Sequence, residues 1–240
     1  LGPGTETPAP WVNVMANPTF GAVVSEAGAG FAWYGNSQSN RLLPWSNDPT
    51  TDPVGDAIYI RDEQLGVYWT PTPSPVRELD AYRARHGQGY TVFEHNSHAI
   101  EQELVAFVPV DRAGAGLPIK VQRLRLRNRS SFRRTLRVTY FAEWVLGQGR
   151  DDTQMHVVTS WDADRGVLLA RNSYHPDYSG RVAFVASSLK PSSFTADRTE
   201  FLGRNGGTRR PAALGRQSLS GRYGAGTDPC AALQVLIEID

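Results

Sequence analysis

Short runs in which apolar and polar residues alternate recur along almost the whole chain, and they limit its possible folds more than any other feature. Side chains at i and i+2 share one face of a β-strand, so this alternation predicts strands. Clusters of Gly, Pro, Asn and Asp separate the runs and favour turns. The runs are WVNVM, FGAVVS, GFAWYG, AIYIRD, VYWT, YTVFEH, AIEQELVAFVPV, KVQRLRLR, RTLRVTYFAEW, MHVVTSW, GVLLAR, RVAFVAS and LQVLIEI.

The number of these runs indicates how the strands are layered. About thirteen strands exceed what one open sheet holds comfortably, and stacking two sheets buries one face of each. Helical periodicity is nearly absent, and the best helical candidate is the weak apolar spacing of residues 76–86. The sequence therefore predicts an all-β fold, a large antiparallel two-sheet β-sandwich that forms one domain over residues 1–240.

Two stretches have the pattern of β-hairpins. In residues 55–70, Ile58 and Ile60 fall on one face, and the charged and glycine-containing stretch 62–66 reverses the chain. In residues 120–144, two alternating runs flank the turn-like NRSSFRR. We expect the second hairpin to have one buried face and one solvated face.

Residues 190–230 lack this alternation and are rich in Gly, Arg and Pro. A stretch of that length without periodicity is usually functional or disordered. Apolar side chains at Phe194, Phe201, Leu202 and Leu214 can anchor it to the protein. We predict a long, ordered excursion over the surface.

The charge balance argues against nucleic acid as a partner. The formal net charge of the 240 residues is +1, so no global field attracts a polyanion. The alternate arginines Arg123, Arg125 and Arg127 are typical of the solvent face of a strand, and they lack the interleaved aromatic residues of a single-strand platform. We predict no nucleic-acid partner.

The cysteine content, the lack of long apolar runs and the ends of the sequence indicate the cellular environment of the chain and whether it is part of a longer protein. Cys230 is the single cysteine, which excludes an intrachain disulfide framework and is compatible with a reducing compartment. No apolar run approaches the roughly 20 residues of a membrane-spanning helix. The chain starts at Leu1 and stops within an alternating run, so we expect a soluble piece of a longer protein.

Two short motifs resemble parts of metal sites. His95 and His98 lie in HNSH, but a zinc site needs three or four ligands and the sequence offers no obvious third. Asp162 and Asp164 match the Asp-x-Asp that holds a metal-bound nucleotide sugar in many glycosyltransferases, yet WDADRG also reads as a turn between two strands. We favour the plain interpretations and predict no metal.

One loop has the composition of a carbohydrate-binding surface. Sugars bind by stacking the apolar faces of their rings on aromatic side chains. Amides, carboxylates and guanidinium groups form hydrogen bonds with the sugar hydroxyl groups. The alternative is that the tryptophans anchor the core and the polar groups satisfy the loop backbone. The predicted sugar-contacting residues are Trp33, Asn40, Arg41, Trp45, Asn47 and Asp48.

Hydrolysis or transfer at a sugar requires placed carboxylates. The sequence offers no means of choosing among those available, and most are expected in ion pairs or at the surface. We therefore assign no catalytic residue. The available groups are Glu94, Glu101, Glu103, Glu143, Asp151 and Asp152.

Several long blocks of the sequence resemble a known family. They are similar to the cyclic β-1,2-glucan synthases in the region that resembles glycoside hydrolase family 94, the family of the cellobiose and chitobiose phosphorylases. The similarity runs over essentially the whole chain. The blocks are WVNVMANPTFGAVVSEAGAGFAWYGNSQSNRLLPWSNDP, GDAIYIRDEQLGVYWTPTPSP, RHGQGYTVFEH, EFLGRNGGTRRPAAL and TDPCAAL.

The resemblance implies a supersandwich, with a galactose-mutarotase-like fold, that precedes a helical α/α-barrel. In the family the barrel holds the general-acid Asp, and inorganic phosphate is the nucleophile and co-substrate. No further cofactor is implied. A loop after the strand that matches RVTYFAEW extends toward the active site in the phosphorylases. Here Gln154 and His156 are the nearest candidates for such contacts, in a segment that departs from the phosphorylases' Asn-Phe-Gln-Arg-like pattern.

The resemblance leads us to predict a non-catalytic domain of a cyclic β-1,2-glucan synthase, supporting a phosphorylase-like site in the following barrel. The predicted partners are β-1,2-glucan or an oligosaccharide, the α/α-barrel, and a second copy in a homodimer. Two alternatives stay open: an autonomous carbohydrate-binding module and a purely structural dimerisation domain. The parent protein, a glycosyltransferase or glycoside phosphorylase, is expected at the bacterial inner membrane, with this region in the cytoplasm.

Overall fold

Fifteen β-strands make up most of the regular structure in the computed structural model, which describes residues 1–2, 5 and 7–240. The strands are β1 (Val12–Ala16), β2 (Phe20–Ser25), β3 (Gly30–Tyr34), β4 (Asp56–Asp62), β5 (Tyr68–Trp69), β6 (Tyr82–Gly87), β7 (Tyr90–Ser97), β8 (Ile100–Phe107), β9 (Val121–Asn128), β10 (Arg134–Glu143), β11 (Val157–Asp162), β12 (Val167–Asn172), β13 (Ala183–Val185), β14 (Ser193–Asp197) and β15 (Pro229–Ile239). The helical elements are α1 (Arg150–Thr153), α2 (Arg198–Leu202) and a 3₁₀ turn (Ala212–Gly215). Within the described residues, no helix has the length and apolar character needed to cross a membrane.

The strands form four antiparallel sheets in the described part of the chain. Their orders are β1-β2-β3, β14-β15-β10-β4-β5, β11-β12-β13 and β6-β7-β8-β9. Every run that alternates in the sequence overlaps one of these strands. The predicted all-β antiparallel fold is confirmed.

The five-stranded sheet is covered on both faces. On one face, Ile60 packs with Ile100 of the four-stranded sheet. On the other face, Tyr59 and Phe141 pack with Phe201 of α2. The expectation of one buried and one solvated face is therefore wrong for β10, because the segment that contains α2 and the 3₁₀ turn covers its second face.

The two predicted hairpins differ in outcome. β4 pairs with β5 through Ile60 opposite Trp69, which confirms the first hairpin. The second is wrong, because β9 pairs with β8, whereas β10 pairs with both β4 and β15. Both edges of β10 are occupied, so the chain between β9 and β10 passes from one sheet to another.

Residues 76–86, the weak helical candidate, do not form a helix. The chain is irregular until β6, which pairs with β7 along its length from Tyr82 opposite His95. The apolar spacing was only a weak indication of a helix, and the neighbouring strand supplies backbone partners that this local spacing does not reveal. Within residues 190–230, β14 joins the edge of the five-stranded sheet, and Phe201, Leu202 and Leu214 are buried.

Candidate functional site

The loop that follows β3 begins with a tight reversal. Gly35 has φ 73°, a left-handed conformation that glycine adopts without a steric penalty. The Asn36 side-chain oxygen then accepts hydrogen bonds from the backbone N–H groups of Gln38 and Ser39, at 2.8 and 2.9 Å. The left-handed glycine and the hydrogen bonds to the Asn36 side chain together turn the chain back toward the end of β3.

Three loop segments meet at this edge of the fold, and we call them the loop cluster: residues 35–42, 144–156 and 173–182. The first two are joined by a pair of backbone hydrogen bonds. Arg41 N donates to Gly147 O at 2.9 Å, and Gly147 N donates to Arg41 O at 3.1 Å. The loop after β3 is thereby fixed against the segment that follows β10.

His175, which is buried, ties the third segment to the first. Its Nδ1 accepts hydrogen bonds from the backbone N–H groups of Asp177 and Tyr178, both at 3.1 Å. Its Nε2 lies 2.8 Å from the carbonyl oxygen of Ser39, which can only accept. The imidazole therefore donates from Nε2, and it cross-links two loops.

The structure gives four of the predicted sugar-contacting residues contacts within the protein. Trp33 and Trp45 lie against Phe31, with ring centroids 5.3 and 5.0 Å from it. Asn40 is buried and donates a 2.9 Å hydrogen bond to a carbonyl oxygen at the end of β3. Arg41 donates through Nε to a carbonyl oxygen of its own loop at 3.1 Å. Asn40 and Arg41 lie in the loop cluster, whereas Trp33 lies on β3.

Asn47 and Asp48 lie outside the loop cluster. Asn47 has φ 43° and is exposed. The Asp48 carboxylate accepts from the Thr51 hydroxyl at 2.7 Å and from the backbone N–H of Thr50 at 2.9 Å. The hydrogen bond from the Thr51 side chain, followed by those from the Thr50 and Thr51 backbone, lowers the pKa of Asp48. Its carboxylate thus caps a local turn.

Gln154 and His156, the other two predicted residues, lie in the loop cluster at the turn after α1. Gln154 is half-buried, and its backbone N–H donates to Arg150 O at 2.9 Å. His156 is exposed, and its ring centroid lies 4.6 Å from that of Tyr174. Tyr174 is itself 77% exposed, so the two rings form an aromatic pair open to solvent.

Sequence reasoning missed the contribution of the segment after β12. The stretch NSYHPDYSG places Tyr174, His175 and Tyr178 in the loop cluster. Its mixture of aromatic and amide side chains matches the composition that singled out residues 33–48. The composition of NSYHPDYSG could therefore have indicated a sugar-binding loop. Only the tertiary structure shows that this stretch lies beside residues 35–42.

The carboxylates that the sequence offered for catalysis are mostly in ion pairs. The Arg198 Nε donates to Glu143 at 2.7 Å, and the Arg85 guanidinium lies 3.0 Å from Glu94. Glu101 and Glu103 pair with arginines of neighbouring strands or turns. Asp151 and Asp152 are exposed in α1. The expected structural roles are thus confirmed for the four glutamates.

The two histidines of HNSH converge on one carboxylate. Glu78 lies 2.9 Å from Nε2 of His95 and 2.5 Å from Nε2 of His98. Burial opposes ionisation of this carboxyl group, but hydrogen bonds from His95, Ser97 and His98 lower its pKa overall. In residues 1–2, 5 and 7–240, no group of three His, Cys, Asp or Glu side chains has the arrangement of a metal site.

Asp162 and Asp164 lie at a hairpin turn, as their plain interpretation predicts. Asp162 pairs with Val167 at the end of the β11–β12 ladder. Its carboxylate accepts hydrogen bonds from the backbone and side chain of Arg165, which lower its pKa. The Asp162 carboxylate thus closes the turn.

Comparison with known proteins decides the family. The model of the glycosyl hydrolase 94 supersandwich domain matches residues 1–240. The chain belongs to this family. The supersandwich domain is also 42% identical, over 239 residues, to the cyclic beta-(1,2)-glucan synthase NdvB of Rhizobium meliloti. That match covers 99% of this chain and 8% of the relative.

Phosphorylases are also similar to the supersandwich domain. It is 28% identical over 217 residues to the N,N'-diacetylchitobiose phosphorylase of Vibrio proteolyticus, covering 87% of this chain and 26% of that protein. It is 29% identical over 240 residues to the solabiose phosphorylase of Paenibacillus borealis, covering 96% of this chain and 30% of that protein. The chain thus spans less than a third of the length of these relatives.

Proposed function

We propose that this chain is the non-catalytic supersandwich domain of a cyclic β-1,2-glucan synthase and that it supports a phosphorylase-like site in a following α/α-barrel. The observation that carries the proposal is the 42% identity over 99% of the chain to a cyclic beta-(1,2)-glucan synthase. Inorganic phosphate is the proposed co-substrate at the barrel. The ion-paired state of the four glutamates fits a supporting role for this domain.

Within this proposal, the loop cluster is the part of the domain that borders the barrel site. Its backbone ladder holds residues 144–156 against residues 35–42, which His175 in turn ties to residues 173–182. Rigid support of this kind is what a loop needs to position substrate in a neighbouring domain. Gln154 and His156 are the proposed contacts with sugar or barrel.

An activity assay tests the supporting role. The purified 240-residue chain is incubated with linear β-1,2-glucan and inorganic phosphate, and released sugar 1-phosphate is measured beside the same assay of the longer protein. We expect release by the longer protein alone. Release by the isolated chain would contradict a non-catalytic role.

A second candidate function is autonomous carbohydrate binding, favoured by the exposed Tyr174–His156 pair. An open aromatic ring beside polar groups suits stacking on a sugar. Calorimetric titration with β-1,2-oligoglucans distinguishes the two functions. Little heat at millimolar ligand is expected of a domain that only supports the barrel. Saturable heat is expected of a domain that binds carbohydrate by itself. Tyr174→Ala should abolish such heat, whereas Tyr223→Ala, at another exposed tyrosine, should leave it unchanged.

The proposed setting is a parent protein at the bacterial inner membrane with this domain on the cytoplasmic side. The proposed macromolecular partners are the α/α-barrel and a second copy of the chain. Light scattering of the isolated chain tests whether it associates with a second copy. A dimer supports self-association through this domain. A monomer indicates that any dimer contact needs the barrel.

A further inference from the structure

A large open cavity lies between the sheets, and we call it the apolar slot. Its volume is about 1090 Å³, as large as the largest small-molecule sites. Strands β9, β10, β13 and β15 contribute most of its lining, and the loop cluster borders one end of it. The chemistry of a ligand for this slot can be deduced from its floor and from its free polar groups.

The floor of the slot is a continuous aliphatic row. Leu233, Val235, Ile237 and Ile239 of β15 all line the slot, and they share one face because alternate residues of a strand do so. Val138 of β10 lies opposite Val235 and also lines the slot. At about 3.3 Å per residue, the row on β15 is about 20 Å long, which is close to the length of an extended sixteen-carbon alkyl chain.

Most of the polar side chains that line the slot already bond within the protein. Three of them bond to the buried carboxylate of Asp56, and two bond to backbone groups of the loop cluster or of the end of β3. They are Lys120, Gln122, Tyr140, Asn40 and His175. Because these groups are engaged, the slot offers few of them to the hydroxyl groups of a sugar chain.

The end of the slot at the loop cluster has polar groups that are free. The Arg181 guanidinium lies over the Tyr34 ring, with Cζ 5.4 Å from the ring centroid, and the Tyr34 and Tyr178 rings meet edge to face at 6.0 Å. All three residues line the slot. Within the described residues, the Arg181 side chain has no hydrogen bond or ion pair, and neither tyrosine hydroxyl has a hydrogen bond. A guanidinium near two phenolic donors suits an anionic oxygen group.

The aliphatic row leads away from this cationic end. Leu233 belongs to the apolar cluster against which Leu42 of the loop cluster packs. Ile237 and Ile239, at the other end of the row, pack against a different cluster, which contains Ile60. The slot therefore has a free cation at one end and only aliphatic floor toward the other.

We propose that the apolar slot binds a single long alkyl chain that carries an anionic head group, the chemistry of a long-chain fatty acid. The head group pairs with Arg181 and accepts hydrogen bonds from Tyr34 and Tyr178, and the alkyl chain lies along the row on β15. The chain would also cover Phe184, which borders the slot and is 49% exposed, so binding removes apolar surface of both molecules from water. This ligand is independent of the carbohydrate chemistry proposed for the barrel.

Displacement of the fluorescent fatty acid cis-parinarate from the longer protein tests the ligand class. We expect saturable binding and displacement by hexadecanoate. Decanoate should need at least a tenfold higher concentration, because affinity grows with each buried methylene. Hexadecanol, which lacks the charge, should need at least a fivefold higher concentration. Hexadecyl phosphate is compared with hexadecanoate, and the stronger competitor identifies the head group. No saturable binding, or equal displacement by hexadecanoate and hexadecanol, would overturn the proposal.

A matched pair of variants assigns the binding to the slot. Arg181→Gln should weaken hexadecanoate binding at least fivefold and leave hexadecanol binding unchanged, because it removes only the cation. Arg171→Gln, at an exposed arginine of β12 outside the slot, is the control and should bind hexadecanoate as the parent does. Equal hexadecanoate affinity in the two variants would refute the site.

Photolabelling of the unsubstituted longer protein needs no variant. Hexadecanoate with a diazirine at its terminal carbon should label residues 124–126 or 236–240, at the end of the slot away from Arg181. We expect at least tenfold less label on β1, which does not line the slot. Equal labelling of β1 would contradict the proposal. Protection of the slot by a β-1,2-oligoglucan would show that it takes carbohydrate and would also contradict the proposal.

Discussion

The Arg134 guanidinium donates a 2.7 Å hydrogen bond from Nε to the carboxylate of Asp62, and both side chains are buried. Arg134 also donates to the carbonyl oxygen of His98 at 3.0 Å. Arg134 and Asp62 belong to the five-stranded sheet, whereas His98 lies in the turn between β7 and β8. The pair therefore connects two sheets at the point where the chain crosses from β9 to β10.

Asp62→Asn should lower the free energy of unfolding by about 3–5 kcal/mol, because it leaves a buried guanidinium without its counter-charge. The amide oxygen can still accept from the backbone N–H of Leu65, so the turn before β5 is kept. Urea denaturation measures the change. The control is Arg133→Gln, which removes an exposed pair with Asp240 and should leave the free energy of unfolding nearly unchanged, because solvent screens such a pair. Equal losses in the two variants would contradict this prediction.

Stability should depend on the ionisation of Glu78. Its pKa is lowered in the folded state, where hydrogen bonds from His95, Ser97 and His98 outweigh burial, so the carboxylate stabilises the fold above the unfolded pKa of about 4.3. This contribution is lost as the pH falls through the folded pKa. Glu78→Gln should thus be less stable than the parent at pH 7, and the difference should shrink below about pH 4.

Thermal unfolding at several pH values measures that difference. Glu238→Gln, at an exposed carboxylate paired with Arg133, is the control and should show no comparable trend. A Glu78→Gln deficit that stays constant down to pH 3 would mean that the carboxylate charge is unimportant at this site.

Gly21→Ala should destabilise the protein by about 1–3 kcal/mol, the usual cost of overpacking. A Cβ atom at Gly21 would overlap carbons of the Trp33 indole, which packs across the glycine on the neighbouring strand. Gly207→Ala is the matched control, because nothing lies within 4 Å of its added Cβ. Denaturation midpoints compare the two. If Gly21→Ala were as stable as the control, Trp33 would be free to move and hence available to a ligand.

His175→Ala should loosen the loop cluster without unfolding the sheets. The substitution removes the bond to Ser39 and the acceptor for two backbone N–H groups. Hydrogen exchange of residues 36–41 and 173–178 should accelerate, while β10 stays protected. His156→Ala, at an exposed histidine of the same cluster, should leave exchange unchanged. Unaltered exchange in His175→Ala would show that the backbone ladder alone holds the loops.

The positions of strands were predictable because period-two alternation is a local property. β6 and β14 escaped prediction, and both are strands at sheet edges whose existence depends on the partner that pairs with them. The false 120–144 hairpin has the same origin: adjacency in sequence favoured β9 with β10, whereas β10 is held between β4 and β15.

Composition likewise identified residues 33–48 as a loop with sugar-binding chemistry. It did not show which of their side chains are free to contact a sugar. The tertiary structure buries Asn40 and packs Trp33 and Trp45 on Phe31, and it brings in Tyr174 from a distant stretch. The sequence by itself thus determined thirteen of the strands and the turns between them, since alternation and turn composition depend on near neighbours. Which edges pair, which faces are covered and which loops meet were decided by tertiary structure, because backbone hydrogen bonds and apolar burial join residues far apart in the chain.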